Sequence, residues 1–308
     1  MKIRLLVTAG AALLFSLTVQ AAEPGPEIRT DDVARFYAVY DSAQGKPTAQ
    51  QLQQAYLAQA SPGLVEFAKL RRITSERIAA AITERPAVFA EARQCAATLP
   101  AVKARVAIAL ARLSELYPQA SFPPVTIAIG RGKPVGVGNA SGVMIGLEAF
   151  CAVDVFKPDI EGSFVHLIAH EYAHVLQPAA QVEDPNDPVL KAALIEGGAE
   201  FIAELISGSV SSRHLQAATK GREKELETAF LGDLDKKALG SRWLYNGWGT
   251  PEWPGDLGYW VGYRITKAYY LRSKDKKTAV REIIELNDPK TFLAKSGWRP
   301  GMALDAGR

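Results

Sequence analysis

His170, Glu171 and His174 stand in the order His-Glu-x-x-His, with Tyr172 and Ala173 between them. On a helix, residues four apart project from one face a turn apart, so both imidazoles can reach one tetrahedral metal ion at ~2.0–2.1 Å. Glu171 lies about 100° round that helix from His170. That position is beside the metal, where a carboxylate can take a proton from an activated water without binding the ion itself. The chain has 4 histidines, and three of them (His166, His170 and His174) fall in this one segment. Incidental buried histidines would not cluster in that way. The chemistry such a motif serves is metal-assisted hydrolysis, with one Zn2+ per chain as cofactor.

Two histidines leave a tetrahedral site short of a third protein ligand. The pattern H-E-x-x-H-x-x-G-x-x-H would supply a histidine, but its Gly and His positions are Gln177 and Ala180 here. A carboxylate from a following helix is the other source. Glu196, in Ile195-Glu196-Gly197-Gly198, is the expected ligand, with Glu200 its rival. If Glu196 binds, Glu200, one turn later, is placed to accept the outward N–H of a ligand histidine and fix its tautomer. Two glycines inside a helix cost ~1 kcal/mol each relative to Ala, which makes sense if the metal-binding helix passes close by. Glu204 reads as part of an exposed acidic face, His166 as a packed or supporting histidine, and His214 as a surface residue.

The elements that must position these residues are mostly helical. Ser163 to Gln177 is an apolar stretch that Pro178 ends. Asp187 as N-cap and Pro188 at the first helical position would open a second helix running to Glu204. Upstream, Asp31 to Tyr117 carries apolar residues at helical spacing, as in Val33, Phe36, Tyr37 and Tyr40, and is punctuated by Pro62, Pro86 and Pro100. Between the two helical regions, Val125–Ile129 and Gly142–Leu147 read as short strands. The intervening Gly136-Val-Gly-Asn-Ala-Ser-Gly142 lacks the Lys-Ser/Thr ending of a phosphate loop and reads as a hairpin or edge strand. The expected fold is mainly α with a small antiparallel sheet (α+β). It comprises an N-terminal helical region over 22–120 and a catalytic region over 121–308, which can share one compact domain.

With 308 residues, 48% hydrophobic and 22% charged, the chain can bury a sizeable core. Its net charge is +3, and about +1 without Lys2 and Arg4. So small a charge argues against nucleic acid or an anionic membrane as partner. Lys2 and Arg4 precede an apolar run from Leu5 to Val19 and the small residues Ala21 and Ala22, the layout of a secretory signal peptide over 1–21. No later run is long enough to span a membrane, so the mature protein is expected to be exported, either periplasmic or secreted. In an oxidising compartment Cys95 and Cys151 can pair, at ~3–4 kcal/mol of stabilisation; the other reading is two buried thiols.

The combination of a His-Glu-x-x-His helix with Ile195-Glu196-Gly-Gly-Ala-Glu200-Phe201 resembles the gluzincin metallopeptidases. It looks closer still to a group of predicted Zn-dependent proteases related to a gliding-motility lipoprotein. Val143-Met-Ile-Gly-Leu-Glu148 and Gly258-Tyr-Trp-Val-Gly-Tyr263 add to the likeness, which covers roughly 124–298. The resemblance implies a zincin-like catalytic region, a peptide or protein substrate, and Glu196 as the third zinc ligand. It also implies a strand before the zinc helix that holds substrate in extended form, for which Met144, Ile145, Gly146 and Leu147 are the candidates. A group to stabilise the developing oxyanion is needed as well; among Tyr259, Tyr263 and Arg264 the choice falls on Tyr259. Trp243, Trp248, Trp253 and Trp260 either wall the cleft or pack in the core. No lipid-acceptor Cys follows the signal segment, so an anchored role does not carry over. The alternative function is a zinc-containing periplasmic binding or assembly protein without catalysis.

Overall fold

A computed structural model of the chain describes residues 26–133, 135–179, 182, 184–209, 213–247 and 249–304. The expected signal segment, Ala180 and Trp248 lie outside the described residues. A two-residue strand, β1 (Ile28–Arg29), leads into six helices: α1 (Asp31–Ser42), α2 (Ala49–Ala55), α3 (Pro62–Arg71), α4 (Ser75–Glu84), α5 (Pro86–Cys95) and α6 (Leu99–Leu116). Their starts are written in the sequence. Thr48, Ser61 and Thr74 each cap the following helix by accepting a backbone N–H, and Pro62, Pro86 and Pro100 sit in first turns.

The sheet follows, with β2 (Val125–Ala128), β3 (Gly136–Asn139) and β4 (Gly142–Gly146). The remaining helices are α7 (Leu147–Cys151), α8 (Ile160–Leu176), α9 (Val189–Ser207), α10 (Arg213–Thr219), α11 (Glu223–Leu231), α12 (Leu257–Arg272), α13 (Lys276–Glu285) and α14 (Pro289–Ser296). The fold is mainly α with one small four-stranded sheet.

Strand order is β1-β2-β4-β3. β3 and β4 form the antiparallel hairpin, with Gly136 opposite Ile145 and Asn139 opposite Gly142. β2 runs parallel to both β1 and β4, so the sheet is mixed rather than wholly antiparallel. The chain crosses to the far edge before turning back, so β4 slots between β2 and β3. This corrects the assignment of Met144, Ile145, Gly146 and Leu147 as the substrate strand. Met144–Gly146 are paired on both sides, Leu147 already begins α7, and all four are buried. The edge strand next to α8 is β3; β1 forms the other edge.

Helices α8 and α9 form the centre, and both are buried on nearly every side because α6, the sheet and α12 cover them. Gly197 in α9 accommodates α12, not the His-Glu-x-x-His helix. A Cβ on Gly197 would lie 2.1 Å from Tyr263 N, and one on Gly262 would lie 1.7 Å from Ala193 O. Gly198 faces Ile283 at an ordinary 3.4 Å. The N-cap of α9 is Pro188, one residue later than expected; Asp187 pairs instead with Lys191 at 2.6 Å. Glu204 is half-buried rather than part of an exposed face, and pairs with Lys267 at 2.9 Å. Cys95 and Cys151 form a disulfide that ties the end of α5 to the end of α7. Trp243 and Trp260 are core residues, and Trp253 packs edge-on against Trp243. Among the described residues, no helix is long and apolar enough to cross a membrane.

Candidate metal centre

The i,i+4 spacing on α8 brings His170 Nε2 and His174 Nε2 to 3.0 Å from each other. From α9, Glu196 Oε2 approaches them at 3.6 and 3.2 Å. A tetrahedral ion with bonds of ~2.0–2.1 Å would hold its ligand atoms about 3.3 Å apart, and the three distances straddle that value. Among the described residues, these three make the group of His, Cys, Asp or Glu side chains arranged to hold a metal ion.

The surroundings fix which atoms face inward. Gln177 Nε2 donates to the Ile195 carbonyl at 3.0 Å, so its Oε1 is the end that meets His174 Nδ1, at 2.7 Å. An amide oxygen can only accept, so the His174 proton sits on Nδ1 and the lone pair on Nε2. Glu200 Oε1 lies 3.1 Å from His170 Nδ1, without the alignment of a regular hydrogen bond, and its Oε2 lies 3.1 Å from His166 Nε2. With acceptors beside both outward nitrogens, the two Nε2 atoms and a carboxylate oxygen converge on one point. Such a set fits a divalent cation.

Charge reinforces this. Burial alone pushes both imidazoles down, but Glu196 and Glu200 outweigh it for His170, and Glu196 for His174, so both go up. Burial likewise pushes Glu196 and Glu200 up, and the neighbouring histidines more than reverse it. The pocket therefore attracts positive charge.

Glu171 is buried next to the ligands, and burial raises its carboxyl against the pull of His170 and His174. Its neighbour across the cleft is the edge strand. A Cβ on Gly136 would lie 2.7 Å from Glu171 Oε1, and one on Gly138 would lie 2.2 Å from the Glu171 carbonyl oxygen. Glycine at both positions lets β3 lie directly against α8. The site opens into a cleft of about 420 Å³ bordered by Gly136, Val137 and Gly138 on one side and by Tyr245 and Tyr259 on the other.

Of the three oxyanion candidates, Tyr259 lines this cleft, its ring stacked 6.4 Å from that of His170. Burial, with Glu196 nearby, pushes its hydroxyl well above the usual value, so it stays a proton donor. Tyr263 bonds to Glu204, and Arg264 to Glu227 and the Met302 carbonyl, away from the cleft. His166 is buried behind Glu200, and His214 is exposed.

Sequence reasoning missed two residues. Gln177, three positions after His174, orients that histidine; the helical offset alone could have suggested it. Tyr245 donates to Glu196 Oε1 at 3.1 Å, so it holds the carboxylate oxygen that faces away from the histidines. Tyr245 has φ +58, and Asn246 and Asp256 exchange backbone-to-side-chain hydrogen bonds beside it at 3.3 and 2.7 Å. It reaches the site from a loop far away in sequence, and no local pattern announces it.

No curated protein and no solved structure matches the chain significantly. A family model does match, over residues 138–292, from within the edge strand through both ligand-bearing helices to α14. That stretch is half of the chain, and with it the protein belongs to the family described as "Predicted Zn-dependent protease (DUF2268)".

Proposed function

We propose that the protein is an exported zinc metallopeptidase of the gluzincin type, with His170, His174 and Glu196 as ligands of one zinc ion and Glu171 as general base. The observation that carries this reading is the convergence of three acceptor atoms, with Glu171 beside them, on an open cleft bordered by a sheet edge. A site that served stability alone would be closed by four protein ligands and would have no use for Glu171. When bound, zinc supplies a Lewis acid and acidifies a water.

The chain's own residues do the rest. The outer edge of β3 pairs with the substrate backbone in extended form. Glu171 takes the proton from the attacking water and delivers it to the leaving amine. Tyr259 donates to the carbonyl oxygen as negative charge develops there. Gln177 and Glu200 hold the two imidazoles, and Tyr245 holds Glu196. Export is supported by the leader-like residues 1–21 and by the Cys95–Cys151 disulfide.

The test is Glu171→Gln, assayed for zinc content and for cleavage of a mixed peptide pool. One zinc per chain should remain while cleavage falls by about 10²–10⁴-fold. Cleavage close to that of the parent would remove Glu171 from the reaction and this reading with it.

A further inference from the structure

A second pocket, of about 380 Å³, meets the metal cleft at Tyr259. Its walls are Val135, Val153, Phe156, Leu215, Pro254 and Tyr259. Two carboxylates reach its margin, and both are engaged. Glu200 meets His166 and His170, and Asp256 accepts the Asn246 backbone N–H. His214 also lines the pocket, and the rest of its surface is mostly apolar.

Two features join this pocket to the metal cleft. Tyr259 is a shared wall. A peptide laid along β3 advances ~3.3–3.4 Å per residue, and Val135, in the pocket wall, immediately precedes Gly136, where that strand begins to border the metal cleft. Backbone pairing with a sheet edge takes any sequence, so a side-chain pocket must supply the selectivity.

We propose that this pocket receives a large apolar side chain, aromatic or branched aliphatic, from the residue flanking the bond to be cut. The inference rests on the peptidase reading and names the substrate class for it. Val155 lines this pocket and is 40% exposed, so a larger side chain there should narrow its entrance.

The experiment measures binding separately from cleavage. Zinc-loaded Glu171→Gln protein is titrated calorimetrically with blocked alanine pentapeptides whose central residue is Gly, Ala, Leu, Phe or Glu. Leu and Phe should bind at least about tenfold more tightly than Gly, with Glu the weakest. Adding Val155→Trp to narrow the mouth should abolish the advantage of Phe. Equal affinities across the series, or a ranking that Val155→Trp leaves untouched, would overturn the assignment. The same peptides offered to protein with Glu171 intact separate the two ideas. Ranked binding without cleavage sinks the peptidase reading and leaves the pocket standing; cleavage without ranking does the reverse.

Discussion

A Cβ added to Gly197 would lie 2.5 Å from Gly262 Cα. Helices α9 and α12 therefore cross with their backbones touching, one residue after Glu196. Gly197→Ala should push the helices apart, lowering stability by ~1–3 kcal/mol and displacing Glu196, so zinc affinity falls as well. Gly198→Ala is the control, because its Cβ would find Ile283 at 3.4 Å; better helix propensity should raise stability by up to ~1 kcal/mol. Thermal melts and zinc titrations on the pair check this, and equal effects of the two substitutions would refute it.

Tyr245 and Tyr259 flank the same cleft with different duties. Tyr245→Phe removes the hydrogen bond to Glu196 Oε1 and should weaken zinc binding about 10–100-fold. Tyr259→Phe should leave zinc binding alone and reduce kcat about 10²–10³-fold, as expected for loss of an oxyanion donor. Competition with a chelator and steady-state kinetics separate the two effects. If both variants show the same profile, the division of labour is wrong.

Gln177→Leu keeps the volume but removes the acceptor for His174 Nδ1–H and the donor to the Ile195 carbonyl. Zinc affinity should drop about 10–100-fold, and zinc should then restore less thermal stability to the variant than to the parent protein. Gln177→Glu keeps an acceptor for the imidazole and should recover part of the affinity. Unchanged affinity in Gln177→Leu would mean that His174 needs no such support.

Away from the cleft, Glu148 is fully buried, and its carboxylate accepts the N–H groups of Gly130 and Gly132 at 3.0 and 2.8 Å. Burial outweighs these bonds and raises its pKa. The folded state thus binds this proton more tightly than the unfolded chain. The contribution is fully present below the unfolded value and is lost as pH rises through the folded one. Glu148→Gln should flatten the fall in unfolding free energy as pH rises above the ordinary carboxyl range. Chemical denaturation over that rise measures the difference in slope, and parallel curves would contradict it.

What the sequence made legible follows from the reach of periodicity. The His170–His174 spacing and the one-turn step from Glu196 to Glu200 are relations within single helices, and a helix has one geometry. The neighbour of each helix is a different matter. Two glycines in α9 suggest a close approach, but only Gly197 makes one, and its partner is α12 rather than the metal-binding α8. Met144–Leu147 has the composition of a strand, but its place inside the sheet depends on where Gly136–Asn139 folds back. Tyr245 illustrates the limit: its role comes from a loop whose path α9 and α12 decide.

The parallel pairing of Ile28 with Val125 has a consequence for the order of assembly. Everything from α1 to α6 lies in the loop it closes, and two paired residues return little against the entropy of that closure. This contact gains its footing only after the intervening helices have packed, so β1 docks late in folding and detaches early in unfolding. Amide hydrogen exchange would then be fastest at this seam of the sheet, on the border opposite the one facing the cleft.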